Sequence, residues 1–182
     1  MCQRILVPID GGATSAEGVD EAVRLAALTG AELRLMHGVV AADHTNGFET
    51  GVVYCIDVLP RMRQAGARVL AAGARRAERP GVTVGTTLVE TTVAGQIAER
   101  IVDEARAWRA DVIVVGSHGR RGADRFFMGS VAEQLARHAP VPVLIVGGRH
   151  RGATNVRTPV EALADGAGAG TVPEAADRLT AR

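Results

Sequence analysis

Val112-Ile113-Val114-Val115-Gly116-Ser117-His118-Gly119, then nine residues, then Gly129-Ser130-Val131-Ala132, is the stretch that decides how this chain folds. Four consecutive aliphatic residues read as a strand buried on both faces. Gly116 breaks it, and a helical pattern runs over residues 131–138. Strand, glycine-rich loop and helix in that order belong to an α/β sheet. Gly129 falls where the helix starts. The first N–H groups of a helix have no acceptor within it, and the helix dipole favours negative charge at the same place. Glycines let the backbone approach an anion closely. The stretch therefore reads as a phosphate site built from backbone. It is not a Walker A loop, which requires a lysine: all 21 basic Lys+Arg residues of the 182-residue chain are arginines.

Outward from this stretch, short apolar strands alternate with helices. Residues 4–9 read as a buried strand that Asp10-Gly11-Gly12 ends. A helix over residues 15–29 stops at Gly30, and residues 32–40 form a second strand. Residues 41–56 are irregular. A long helix over 57–78 tolerates Pro60 in its first turn, and Pro80-Gly81 ends it. A third strand spans 82–89. Thr91 or Thr92 is placed to cap a helix over 93–108, with Ile97 and Ile101 toward the core. Strands over 111–115 and 141–146 complete the set. Pro142 puts the last strand at a sheet edge, or stands at its start. The order β-α-β-α-β-α-β-α-β predicts a doubly wound parallel sheet with helices on both faces. One folded domain is expected over 1–148. From residue 149 the composition turns to Gly, Ala and scattered polar residues, and 149–182 is read as a disordered tail.

Composition narrows the function. The chain is 47% hydrophobic but only 3% aromatic, so its core is aliphatic. No stretch is apolar enough to span a membrane and no signal pattern opens the chain, so a cytoplasmic protein is expected. A net charge of +1 gives no footprint for nucleic acid. Cys2 and Cys55 make neither a disulfide framework nor a metal motif, and the histidines show no metal spacing.

In open α/β sheets ligands bind beyond the carboxyl ends of strands, where strand order reverses. Asp10-Gly11-Gly12 and Gly116 both fall at such ends. Were the two strands adjacent, one crevice would collect both. Asp10 then has three jobs open to it beside phosphates: a ribose hydroxyl, an adenine amino group or a Mg²⁺ ion. The alternative is a carboxylate that only caps the helix after it. His118 is a phosphate contact or a solvated loop residue. Arg120, Arg121 and Arg125 read as a solvated loop face, and His37 as a packed strand-end residue.

Taken together, these residues resemble the universal stress protein family over about residues 3–147. Its nucleotide pattern, Gly-x2-Gly-x9-Gly-Ser/Thr, is matched by Gly116, Gly119, Gly129 and Ser130. Ile5-Leu6-Val7-Pro8-Ile9-Asp10-Gly11 is similar to its first strand, and the run from His138 to Val146 to its closing helix and strand. The resemblance implies strand order 3-2-1-4-5, a homodimer joined through the fifth strand, and ATP binding. Carried over by position, Pro8, Ile9 and Asp10 line the adenosine side and Gly38 lies near adenine. Val115, Gly116, His118 and Gly119 run along ribose and phosphates. Gly129, Ser130, Val131 and Ala132 hold the phosphates. Gly12 stands where the family often has Ser, Gly38 where a larger aliphatic residue is common, and Glu90-Thr91-Thr92-Val93 lacks the usual Gly-x-Pro.

The expected function is an ATP-binding regulator that senses adenine nucleotide as a dimer in stress response, with Mg²⁺ as an open question. Hydrolysis is expected to be slow or absent, because no general base stands out and no catalytic residue is assigned. Two alternatives are a dimeric interaction module that does without nucleotide and, more distantly, an ATP-pyrophosphatase-type adenylating enzyme. The latter rests on a faint likeness of Asp10-Gly11-Gly12-Ala13-Thr14-Ser15 to that class's first loop.

Overall fold

Ile5, Leu6 and Val7 expose no surface, and they mark the middle of the sheet. In this computed structural model, which describes residues 2–41, 54–91, 93–117 and 128–147, these residues lie on β1 (Arg4–Pro8). β1 pairs in parallel with β2 (Glu32–Val40) on one side and with β4 (Val112–Gly116) on the other. β3 (Val84–Thr91) lies outside β2, and β5 (Val143–Val146) outside β4. The order β3-β2-β1-β4-β5 is the expected one. Pro142 precedes β5, which is an edge strand. Lacking an N–H, Pro142 joins the ladder only through its carbonyl, which accepts the Ile113 N–H at 3.0 Å.

Alternation along the strands sends side chains into two cores. Ile5, Val7, Leu33, Leu35 and Val114 meet α1 (Ala13–Thr29) and α2 (Leu59–Ala77) on one face. Leu6, Met36, Ile113 and Val115 meet α3 (Ile97–Trp108) and α4 (Ser130–His138) on the other. Small residues set how close the helices come. A Cβ on Gly73 of α2 would sit 2.7 Å from Ile9 Cδ1, and one on Gly66 would sit 2.7 Å from Leu88 Cδ1. Gly30 ends α1 in the left-handed conformation, φ 73°, and its N–H reaches Ala26 O at 2.8 Å. At the opposite end of the sheet from the strand C-termini, the Arg34 guanidinium stacks 4.4 Å from the Trp108 ring centroid and pairs with Glu104 at 2.7 Å.

Several boundaries fall elsewhere than the sequence predicts. β3 begins at Val84 because Gly81, φ 81°, and the Val82 N–H to Arg79 O bond hold the preceding residues in a turn. α3 begins at Ile97, after a π-like Tyr54–Val58 turn has already opened α2 and a 3₁₀ turn, Ala94–Gln96, has opened α3. Thr91 is no helix cap. It is the buried last residue of β3, and its Oγ1 lies 3.0 Å from Gln96 Oε1. Thr92 and the 149–182 segment lie outside the described residues.

One surface carboxylate ties β1 to β4. Asp111 accepts the Gln3 and Arg4 N–H groups at 2.6 and 2.9 Å, while its own N–H donates to Arg4 O. The Gln3 N–H first, then the Arg4 N–H, holds the carboxyl below its usual range. A depressed pKa means stability that is present above the unfolded value, about 3.9, and lost as pH falls through the lower folded value. Asp111→Ala should therefore lower the urea midpoint at pH 7, and the gap to wild type should narrow as pH falls below about 4. A gap independent of pH would separate the effect from the carboxylate.

Candidate functional site

β1 and β4 are neighbours, so the sheet reverses its strand order between them and a crevice opens beyond their C-terminal ends. The two glycine breaks read from the sequence do meet there. On the β1 side the chain turns through Asp10-Gly11-Gly12 into α1. Asp10 Oδ1 accepts the Gly12 N–H at 2.8 Å, and the Asp10 N–H donates to the buried Ser15 Oγ at 3.2 Å. Gly11 takes the left-handed conformation, φ 81°, which a side chain would strain. Asp10 thus closes its own turn through its side chain, ahead of α1 rather than as its N-cap. Gly12 is the N-cap of α1 and supplies no side-chain bond.

On the β4 side the chain leaves the sheet at Gly116-Ser117 and returns at Gly129-Ser130. The two ends are stitched together: the Gly129 N–H donates to Ser117 O at 2.7 Å. The Ser117 N–H in turn donates to Val146 O of β5 at 2.7 Å. Gly129 is the N-cap of α4, and the first helical bond runs from the Glu133 N–H to Gly129 O. By position, the N–H groups of Ser130, Val131 and Ala132 have no acceptor inside the helix. Ser130 is exposed and Ala132 is buried against the core. Glu133 adds a negative charge one residue later, and Arg137 pairs with it at 2.9 Å.

Gly116 has a role that the sequence reading did not assign. Along β4, Ile113 and Val115 face α3 and α4, so Gly116 faces α1. A Cβ there would lie 2.8 Å from both Thr14 C and Thr14 O and 2.9 Å from Ser15 N. Its missing side chain is what lets the first turn of α1 lie against β4. Gly18, one turn on, makes the same approach, with its Cβ position 3.5 Å from Gly116 N.

Of the remaining candidates, Pro8, Gly38 and Val115 lie on the α3/α4 face and Ile9 on the other. Pro8 ends β1, and its alternation partner Leu6 lies in that core. Ile9 is buried on the opposite face, its N–H bonded to Met36 O at 2.8 Å and its carbonyl accepting His37 Nδ1–H at 2.7 Å. His37 is therefore a packed strand-end residue, as expected. Gly38 follows on β2, on the same face as Met36. There Ile97 fills the notch left by the absent side chain. The space that a larger residue at position 38 would take is thus filled from α3, by a residue that only the folded chain brings near. Ser15 is the other participant, one that no motif singles out. His118, Gly119, Arg120, Arg121 and Arg125 lie outside the described residues.

An anion fits this arrangement: the α4 start presents backbone donors, and the acid in its first turn, Glu133, is paired with Arg137. A dedicated metal cage does not. Among the described residues, no three His, Cys, Asp or Glu side chains come together as ligands.

Comparison with known proteins gives one family. The sequence profile of the universal stress protein family matches residues 1–147. Universal stress protein YxiE of Bacillus subtilis is 33% identical over 151 residues, covering 80% of this chain and 99% of that protein. A universal stress protein family member from Burkholderia pseudomallei, 34% identical, superposes with a TM-score of 0.61 over 79% of this chain and 95% of its own. A universal stress protein solved in complex with cAMP shares the fold: TM-score 0.58, 24% identity, 81% of this chain and 98% of that one.

Proposed function

This chain belongs to the universal stress protein family, and from that premise we propose that it is an ATP-binding regulator rather than an enzyme. One observation carries the reading. The loop that leaves β4 returns to it through the Gly129 N–H to Ser117 O bond, which sets the open N-terminus of α4 at the mouth of the switch-point crevice. That is where a backbone phosphate site belongs. Pro8 at the end of β1 and Gly38 on β2 lie on the apolar α3/α4 face that this reading gives to the nucleoside. The cAMP-bound neighbour supports an adenine ligand. The proposed ligand is the triphosphate, with Mg²⁺ held on the phosphates and Asp10 as a carboxylate partner.

Signalling in this reading is conformational. Nucleotide at the α4 start changes the conformation of the protein, and a homodimer joined along β5 reads the change in the cytoplasm. β5 is an edge strand with Leu144 39% exposed, the kind of edge that a second copy covers. Turnover is slow because no general base faces the α4 start among the described residues.

The rival reading is a dimeric interaction module without nucleotide. It draws on Asp10 being engaged with Gly12 and on the altered 90–93 turn. Analysis of the denatured extract of purified protein, followed by calorimetric titration of stripped protein with ATP, decides between them. Adenine nucleotide in the extract, or saturable ATP binding at one site per chain, is the expected result. An empty extract together with a flat titration would leave the interaction module standing.

A further inference from the structure

One peptide group on the β1 side of the crevice is held at both ends by side chains. β1 leaves its ladder with β2 at Pro8, which pairs with Met36. The next N–H, that of Ile9, still reaches Met36 O at 2.8 Å. The carbonyl of the buried Ile9 is taken by His37 Nδ1 at 2.7 Å. The N–H of the same peptide group belongs to Asp10, and it donates to Ser15 Oγ at 3.2 Å. A carbonyl oxygen only accepts, so His37 Nδ1 carries the proton. Ladder bonds fix peptide planes along a strand; where this strand ends, an imidazole from β2 and a hydroxyl from α1 take over that task. The ring has little freedom of its own. α2 crosses over it at Gly66, where a Cβ would lie 2.9 Å from His37 Cδ2 and 3.2 Å from Val39 Cγ2. Asp10 starts from this peptide, and its Oδ1 closes the turn on the Gly12 N–H at 2.8 Å. The placement of its carboxylate therefore follows from a plane that His37 sets.

We infer that His37 is a positioning residue for the nucleotide site: its Nδ1–H orients the Ile9–Asp10 peptide and so holds the Asp10 carboxylate in place for a bound nucleotide. The inference rests on the nucleotide-binding reading above. His37 itself touches no ligand in this account, because it lies with Ile9 and Gly66 on the α1/α2 face, away from α3 and α4. Losing its N–H leaves a buried carbonyl without that donor, and the peptide turns to find another. Asparagine at 37 can offer its Nδ2–H from nearly the same place, one bond beyond Cγ as in the imidazole. Leucine fills the space and offers no donor.

The test measures ATP affinity, with Mg²⁺ present, for wild type, His37→Leu, His37→Asn, Asp10→Asn and His37→Leu/Asp10→Asn. His37→Leu should weaken ATP about tenfold, and His37→Asn should return it to within about threefold of wild type. The double variant should bind as Asp10→Asn does, because the peptide has no charge left to position. Ser15→Ala releases the other end of the same peptide and keeps the test open if His37→Leu fails to fold. It should weaken ATP about threefold, and have no further effect in the Asp10→Asn background. Nitrogen NMR of the imidazole reads the clamp without nucleotide: neutral His37 should carry its proton on Nδ1. A neutral ring with a bare Nδ1, unchanged ATP affinity in the folded variants, or losses that add to that of Asp10→Asn would overturn the assignment while leaving ATP binding intact. No ATP binding by wild type would remove the nucleotide reading itself, and this inference with it.

Discussion

Gly116→Ala should destabilise the fold by about 1–3 kcal/mol, the range for forcing extra atoms into a packed site. The reason is not backbone conformation. Gly116 is absent from the residues with positive φ, which among the described glycines are Gly11, Gly30 and Gly81. The reason is what the new methyl meets: Thr14 C at 2.8 Å, Thr14 O at 2.8 Å and Ser15 N at 2.9 Å. These are backbone atoms of the first turn of α1. A side-chain end could rotate away; this turn cannot, because the Asp10–Gly12 and Asp10–Ser15 bonds hold it from below. α1 must shift off β4 as a body, opening the contact that Gly18 also makes. Gly147→Ala is the matched control, since nothing lies within 4 Å of a Cβ there and its stability should change little. Urea unfolding of the two variants beside wild type gives the answer. A wild-type midpoint for Gly116→Ala would mean that α1 moves freely, and the packing account of this glycine would have to go.

The strands were legible in the sequence because their signal is local. Runs such as Val112-Ile113-Val114-Val115 have few readings, and β2 occupies the predicted residues, Glu32–Val40. The strand order is another matter. Spacing yields alternation, but which strands become neighbours depends on how the two helical layers cover the faces, and 3-2-1-4-5 came only through the family resemblance. Element ends failed where a side chain overrode the periodic pattern: Thr91 Oγ1 lies 3.4 Å from the Val93 N–H it accepts, and with Gln96 it keeps the chain out of α3 until Ile97. The site shows the same division. A glycine pattern announces a loop and a helix start from the letters alone. That Gly116 is small for α1, and that Gly38 is small for Ile97, are facts about pairs of residues far apart in the chain. Neither has a trace in the sequence around it.

Gly129→Val should do the reverse of Gly116→Ala: ATP affinity falls about 100-fold or more while stability stays within about 1 kcal/mol of wild type. Gly129 has φ −61° and ψ 145°, extended backbone in which a β-branched residue is comfortable. As the N-cap of α4 it makes no side-chain bond, so valine removes none. The N–H that stitches the loop to Ser117 O at 2.7 Å remains in the variant. What changes is the approach to the N–H groups of Ser130, Val131 and Ala132. A phosphate oxygen must come within about 3 Å of such a nitrogen to bond it, and a branched side chain at the entrance keeps it farther off. On this expectation the two glycines of one motif divide the work, the first by making room for a helix and the third by leaving room for an anion. Thermal unfolding and ATP titration of Gly129→Val, run on the same preparation, separate the two effects. A folded variant that binds ATP with wild-type affinity would place the phosphates away from α4, and the regulator would have to be rebuilt around a different site.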